Sequence, residues 1–124
     1  MTKESEIQIA CNQLLNELKE IYIFRHFHVA NEGKRSIQYL IKLKKMGFRA
    51  GVPDFIIEYP NAKILYVELK NETGQLSNSQ KLWKIQSISL KTPFFVVKGN
   101  IRKCLIDLAD IIDNYVPRRS SKKY

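Results

Sequence analysis

Apolar residues recur at helical spacing from about Lys3 to Glu20. There Ile7, Ala10/Cys11, Leu14/Leu15 and Leu18 alternate with polar residues, which predicts an amphipathic helix. Ile21 to Val29 is rich in β-branched and aromatic residues and predicts mostly strand, broken by Asn31-Glu32-Gly33. Ser36 to Met46 carries Ile37, Leu40, Ile41 and Leu43, a short helix with a basic outer face that Gly47 stops. The loop Gly47 to Pro53 follows. Asp54–Glu58 and Ile64–Lys70 then predict two strands, joined through Tyr59-Pro60-Asn61-Ala62-Lys63 as a five-residue hairpin connection. Ser77 to about Leu90 predicts a helix with Leu82, Ile85 and Ile88 on one side. Phe94–Lys98 predicts a short buried strand, and Gly99-Asn100 opens a last helix with Ile101, Leu105, Leu108 and Ile112 in phase. The order α-β-α-β-β-α-β-α gives an α/β fold class, a mixed sheet flanked by helices.

Composition adds limits to that picture. The 124 residues amount to one domain, expected over 1–116, with 117–124 as a basic, mobile tail. Hydrophobic residues make up 44% and charged residues 27%, so the chain has the material for a real core. No apolar run approaches the roughly 18–20 residues of a membrane span, which sets membrane partners aside. The N-terminal segment lacks the layout of a signal peptide, and Cys11 and Cys104 both sit in helical segments as ordinary thiols. These features lead to an expectation of a cytoplasmic protein. The net charge of +9 favours a polyanionic partner, of which nucleic acid is the commonest, although solubility alone also accounts for such a charge.

The chemistry concentrates on the hairpin. Leu65, Val67 and Leu69 share one strand face, while Ile64, Tyr66, Glu68 and Lys70 share the other. A turn centred on Asn61 places Asp54 across from Glu68. Directly opposed residues bring their Cβ atoms to about 4.5–5.5 Å, where two carboxylates repel. A divalent cation between them removes the conflict, and an all-oxygen site of this kind suits Mg²⁺ or Mn²⁺. Lys70 lies near enough to stabilise a charged phosphate or orient a water, which completes the equipment for phosphodiester hydrolysis. Asp, Glu and Lys at this spacing are also compatible with a solvated surface hairpin.

The surrounding residues narrow the choice. Gly51-Val52-Pro53-Asp54 followed by Glu68-Leu69-Lys70 resembles the PD-(D/E)xK nuclease signature, and more narrowly that of the VRR-NUC domain family. Glu4-Ser5-Glu6-Ile7-Gln8, Asn31-Glu32-Gly33, Gly47–Asp54 and Thr73-Gly74-Gln75-Leu76-Ser77-Asn78-Ser79-Gln80 stand in the family's order. The resemblance implies a restriction-endonuclease-like core and a metal-dependent DNA endonuclease. It implies metal binding by Asp54, Glu68 and the backbone carbonyl of Leu69, with Lys70 as the family lysine. Gln80 corresponds to the glutamine that opens the following helix, and Glu4 to a first-helix glutamate, with Glu6 as the competing position. Stand-alone members of this length imply a homodimer with structure-selective cutting, of the Holliday-junction-resolvase or nicking type, in a bacterial or phage-infected cell.

Rival readings stand beside these. Ser77-Asn78-Ser79-Gln80 is also a capping box, a role compatible with one at the site. His26 and His28 share a strand face but lack a third ligand, which points to structural or DNA-facing roles. Trp83 and Tyr66 fit core or dimer packing as well as base stacking. Lys34, Arg35 and Arg49 flank the site and are expected phosphate contacts. A non-catalytic nucleic-acid-binding module, or an accessory subunit of a larger DNA-processing assembly, needs the positive charge but has no use for two facing carboxylates.

Overall fold

The structure is a computed structural model that describes residues 1–30 and 36–120. Its elements run α1 (Glu4–Leu18), β1 (Arg25–Phe27), α2 (Ile37–Lys45), β2 (Phe55–Tyr59), β3 (Lys63–Lys70), α3 (Asn78–Ser89), β4 (Phe94–Lys98) and α4 (Ile101–Tyr115). All eight follow the order expected from the periodicity.

One four-stranded sheet has the order β1-β2-β3-β4. The first two pairings are antiparallel, and β3 and β4 run parallel through the α3 crossover. Phe55 faces Val67 and Tyr59 faces Lys63, so the hairpin turns about Asn61. The connection is shorter than expected, three residues rather than five, because Tyr59 and Lys63 still pair. Asn61 and Ala62 both take positive φ (71° and 58°), the backbone twist a tight hairpin requires.

Alternation sorts the sheet's two faces. Phe55, Ile57, Leu65, Val67, Leu69 and Val97 are buried on one, against Ile7, Cys11 and Leu15 of α1 and Cys104, Leu108 and Ile112 of α4. The apolar stripes of those two helices therefore face the sheet and each other, as their sequence spacing implies. On the opposite face Tyr66 meets Trp83 of α3 edge-on, with ring centroids 5.8 Å apart.

Several expectations need correction. β1 keeps only Arg25–Phe27 of the predicted Ile21–Val29. Tyr22 instead bridges to Arg118, while the Ile23 N–H donates to the Pro117 carbonyl and the Arg119 N–H to that of Ile21. Pro117 to Arg119, assigned to a mobile tail, are thus tied down by backbone bonds; residues 121–124 lie outside the described set. β4 lies at the sheet's edge with only Val97 fully buried, not wholly buried as expected. The apolar residues of α2 and α3 are largely exposed: α2 buries none, and α3 buries only Ser87. Among the described residues, no helix is long and apolar enough to cross a membrane.

Candidate active site

The loop before β2 reaches the start of α3 through Gly51. Its φ of +86° is open to glycine, and a Cβ there would lie 2.5 Å from the backbone oxygen of Ser79. Pro53 follows, buried, and delivers Asp54 at the mouth of β2. The ladder register continues to place Asp54 across from Glu68. The Asp54 carboxylate accepts a 2.7 Å hydrogen bond from the Leu69 N–H, which fixes it against β3.

Glu68 projects from β3 on the α3 side and is only 2% exposed. One of its oxygens, Oε1, accepts from Gln80 Nε2 at 2.9 Å. The other, Oε2, is buried with no hydrogen-bond partner among the described residues. Burial pushes the Glu68 carboxyl up to about 9, and the charge of the neighbouring Asp54 adds to the rise. Lys70 opposes it, with its Nζ 4.0 Å from Glu4 Oε1 at the N-terminus of α1.

Gln80 serves two purposes with one amide. Its Oε1 accepts from the Ser77 N–H at 2.8 Å, closing the capping box of α3, while its Nε2 holds Glu68. The capping role and the site role are therefore the two ends of one side chain.

Asp54, Glu68, Leu69, Lys70, Gln80 and Glu4 line a single cleft of about 1000 Å³ between the N-terminal ends of α1 and α3. Glu4, not the exposed Glu6, is the first-helix acid in this cleft. Arg49 is not brought there: its guanidinium stacks 4.9 Å over the Trp83 ring and bonds Gln86 on α3. Lys34 and Arg35 lie outside the described residues. Sequence reasoning missed the α1 wall, where Gln8 and Asn12 follow Glu4 at one-turn spacing. That spacing was readable, since all three avoid the Ile7/Cys11/Leu15 stripe. His28, given a structural or DNA-facing role from the sequence, places its Nδ1 2.7 Å from the Asp54 carbonyl, a contact the sequence did not indicate. His26 instead bonds Asn12 on α1 at 2.6 Å and packs on Phe55.

The donor set fits a hard divalent cation. Among the described residues no three His, Cys, Asp or Glu side chains gather as ligands, and the two carboxylates that meet are those of Asp54 and Glu68. The orphaned Glu68 Oε2 is the buried acceptor that a cation beside Asp54 would satisfy. Leu69 directs its N–H to the Asp54 side of β3, and a strand residue sends its carbonyl the same way. That carbonyl lies beyond the last β2–β3 pair, Phe55 with Val67.

Comparison with known proteins agrees with this architecture. No match was found among curated protein sequences. A solved structure described as a VRR_NUC domain superposes with a TM-score of 0.57 at 19% identity, covering 93% of this chain and 99% of that one, which shows a shared fold. The sequence model of the VRR-NUC domain matches residues 2–100. With the match spanning most of the chain and Asp54 meeting Glu68, Leu69 and Lys70 in one cleft, the chain belongs to the VRR-NUC domain family and is a nuclease-type domain.

Proposed function

We propose that this protein is a Mg²⁺- or Mn²⁺-dependent endonuclease that hydrolyses DNA phosphodiester bonds. The observation that carries the reading is the buried, partnerless Glu68 Oε2 beside Asp54, with Lys70 at the same cleft. Two converging carboxylates without a cation destabilise the fold they sit in, and burial at a functional cleft is the usual reason such a cost is retained.

Asp54 and Glu68 would hold the cation, with the Leu69 carbonyl as a further ligand. The cation supplies Lewis acidity toward the scissile phosphate. The protein's own residues do the rest. The Leu69 N–H holds the Asp54 carboxylate, and Gln80 holds that of Glu68, so both keep their aim before substrate arrives. Lys70 is 11% exposed at its side chain, and an ammonium in so dry a place stabilises charge on the phosphoryl oxygens far better than one in water. Glu4 Oε1 lies 4.0 Å from the Lys70 Nζ, and both side chains line the cleft.

The substrate side of the reading rests on the net charge of +9, which suits a phosphate backbone. Structure-selective cutting, of the Holliday-junction-resolvase or nicking type, belongs to the same proposal. So does a homodimer, supported by exposed Ile37 and Ile41 on α2, Met46 at its C-cap, and Leu82, Ile85 and Ile88 on α3. Lys34 and Arg35 are retained as candidate phosphate contacts. Arg49 stays with them as an exposed side chain, held over Trp83 and bonded to Gln86 outside the cleft.

Lys70→Ala tests the assignment. The variant is expected to keep its fold and its Mn²⁺ affinity while losing cleavage by about a hundredfold or more. Cleavage at the parental rate removes Lys70 from the mechanism.

A further inference from the structure

The β1–β2 ladder stops at Phe27 paired with Ile56, one residue short of the site. Along β2, backbone groups alternate between its two neighbours. Phe55 and Ile57 pair toward β3 as partners of Val67 and Leu65, and Ile56 and Glu58 turn toward β1. By that alternation the backbone of Asp54 turns toward β1 as well. Its ladder partner there would be Val29, but β1 has already ended. The residue before it, Pro53, has no N–H to offer, so the backbone at this point is under-tethered just where the carboxylate must be aimed.

The His28 ring fills the place of the missing strand. Its Nδ1 lies 2.7 Å from the Asp54 carbonyl oxygen. A carbonyl only accepts, so Nδ1 carries the hydrogen and donates it. The ring also meets Phe55 edge-on, with centroids 6.3 Å apart, and Phe55 is the buried residue that anchors β2 immediately after Asp54. His28 thus grips one side of the Asp54 peptide while the Leu69 N–H grips its carboxylate from the other. Both residues line the cleft.

We propose that His28 is a positioning residue of this nuclease: its Nδ1–H fixes the Asp54 backbone, and through it the direction in which the Asp54 carboxylate meets the cation. This rests on the metal-dependent reading above and adds the group that sets the ligand's aim. A ring that merely closed the end of β1 would contribute to stability alone. A ring that aims Asp54 contributes to metal affinity and turnover in protein that is already folded.

The two amide substitutions separate these roles. In His28→Asn the side-chain nitrogen sits about where Nδ1 sits, and in His28→Gln about where Nε2 sits. Mn²⁺ binding is measured by calorimetry on the full chain without DNA, Mn²⁺-dependent cleavage under single turnover, and folding by thermal melting. His28→Ala and His28→Gln are expected to lose about tenfold or more in Mn²⁺ affinity and in cleavage, the scale of residues that orient metal ligands. His28→Asn is expected to recover most of both. Wild-type affinity in His28→Ala, or Asn and Gln variants that behave alike, overturns the inference while leaving the metal site standing. If His28→Ala does not fold, the Asn and Gln pair decides. A wild-type protein that binds no Mn²⁺ overturns the metal-dependent reading itself, and the inference with it.

Discussion

Glu68 has the least comfortable surroundings of any described carboxylate. It is buried, one oxygen is unpartnered, and Asp54 adds negative charge beside it. The Glu68 carboxyl is raised from an ordinary 4.5 to about 9, so the native state prefers it protonated. The stability this contributes is complete below the unfolded value and is lost as pH rises through the folded one. A metal-free protein at pH 8 therefore carries a destabilising group that a cation relieves. Glu68→Gln keeps an oxygen to accept from Gln80 and removes the carboxyl that folding must protonate at that pH. In EDTA at pH 8 it is expected to melt at or above wild type, to gain nothing from Mn²⁺, and to leave DNA uncut. A clear fall in its melting temperature under those conditions contradicts this account of Glu68. The sequence carried this much: strand alternation and one turn centre put Asp54 opposite Glu68. It did not carry the depth of burial, which depends on α3 closing over β3 through Gln80 and Trp83, a contact between segments that no local pattern encodes.

Among the elements, all eight were legible from periodicity, and the errors have a common origin. Ile21 to Phe24 has strand composition, yet Ile21, Tyr22 and Ile23 bond to Pro117–Arg119 from the far end of the chain, so β1 is short. Period analysis finds an apolar stripe on α2 and α3 but does not tell whether anything covers it, and here the stripes lie open. The α1–β1 contact supports a prediction at this scale. Burial, and after it the Lys19 charge, pushes His26 down from 6.5 to about 4 where it meets Asn12 and Phe55. A depressed histidine gives stability that is complete above 6.5 and is lost as pH falls toward 4. Denaturant titrations should show wild type losing stability relative to His26→Gln across that window. The expected loss is on the order of 1 kcal/mol, allowing for solvent screening. Parallel pH profiles for the two proteins would remove His26 as the cause.

At the scale of the whole molecule, the fold brings its chemistry to one end, where the N-termini of α1 and α3 flank the end of the β2–β3 hairpin. Helices α2 and α3 carry exposed apolar side chains, with Ile37 at 74% and Ile88 at 66% exposure. Patches of that kind support association, and sedimentation of the DNA-free protein is expected to give twice the 14.5 kDa chain mass. A single-chain mass across the working concentration range contradicts the homodimer. Family membership makes the domain nuclease-type; the proposed cation rests on the cleft's chemistry and the proposed DNA substrate on the chain's positive charge. The most direct measurement is cleavage of a panel of four-way junction, flap and linear duplex DNA, comparing wild type with Asp54→Ala in Mn²⁺, Mg²⁺ and EDTA. The account predicts cutting by wild type with either cation, strongest on a branched substrate, none in EDTA, and none by Asp54→Ala under any condition. Cutting that persists in EDTA, or in Asp54→Ala, would contradict it.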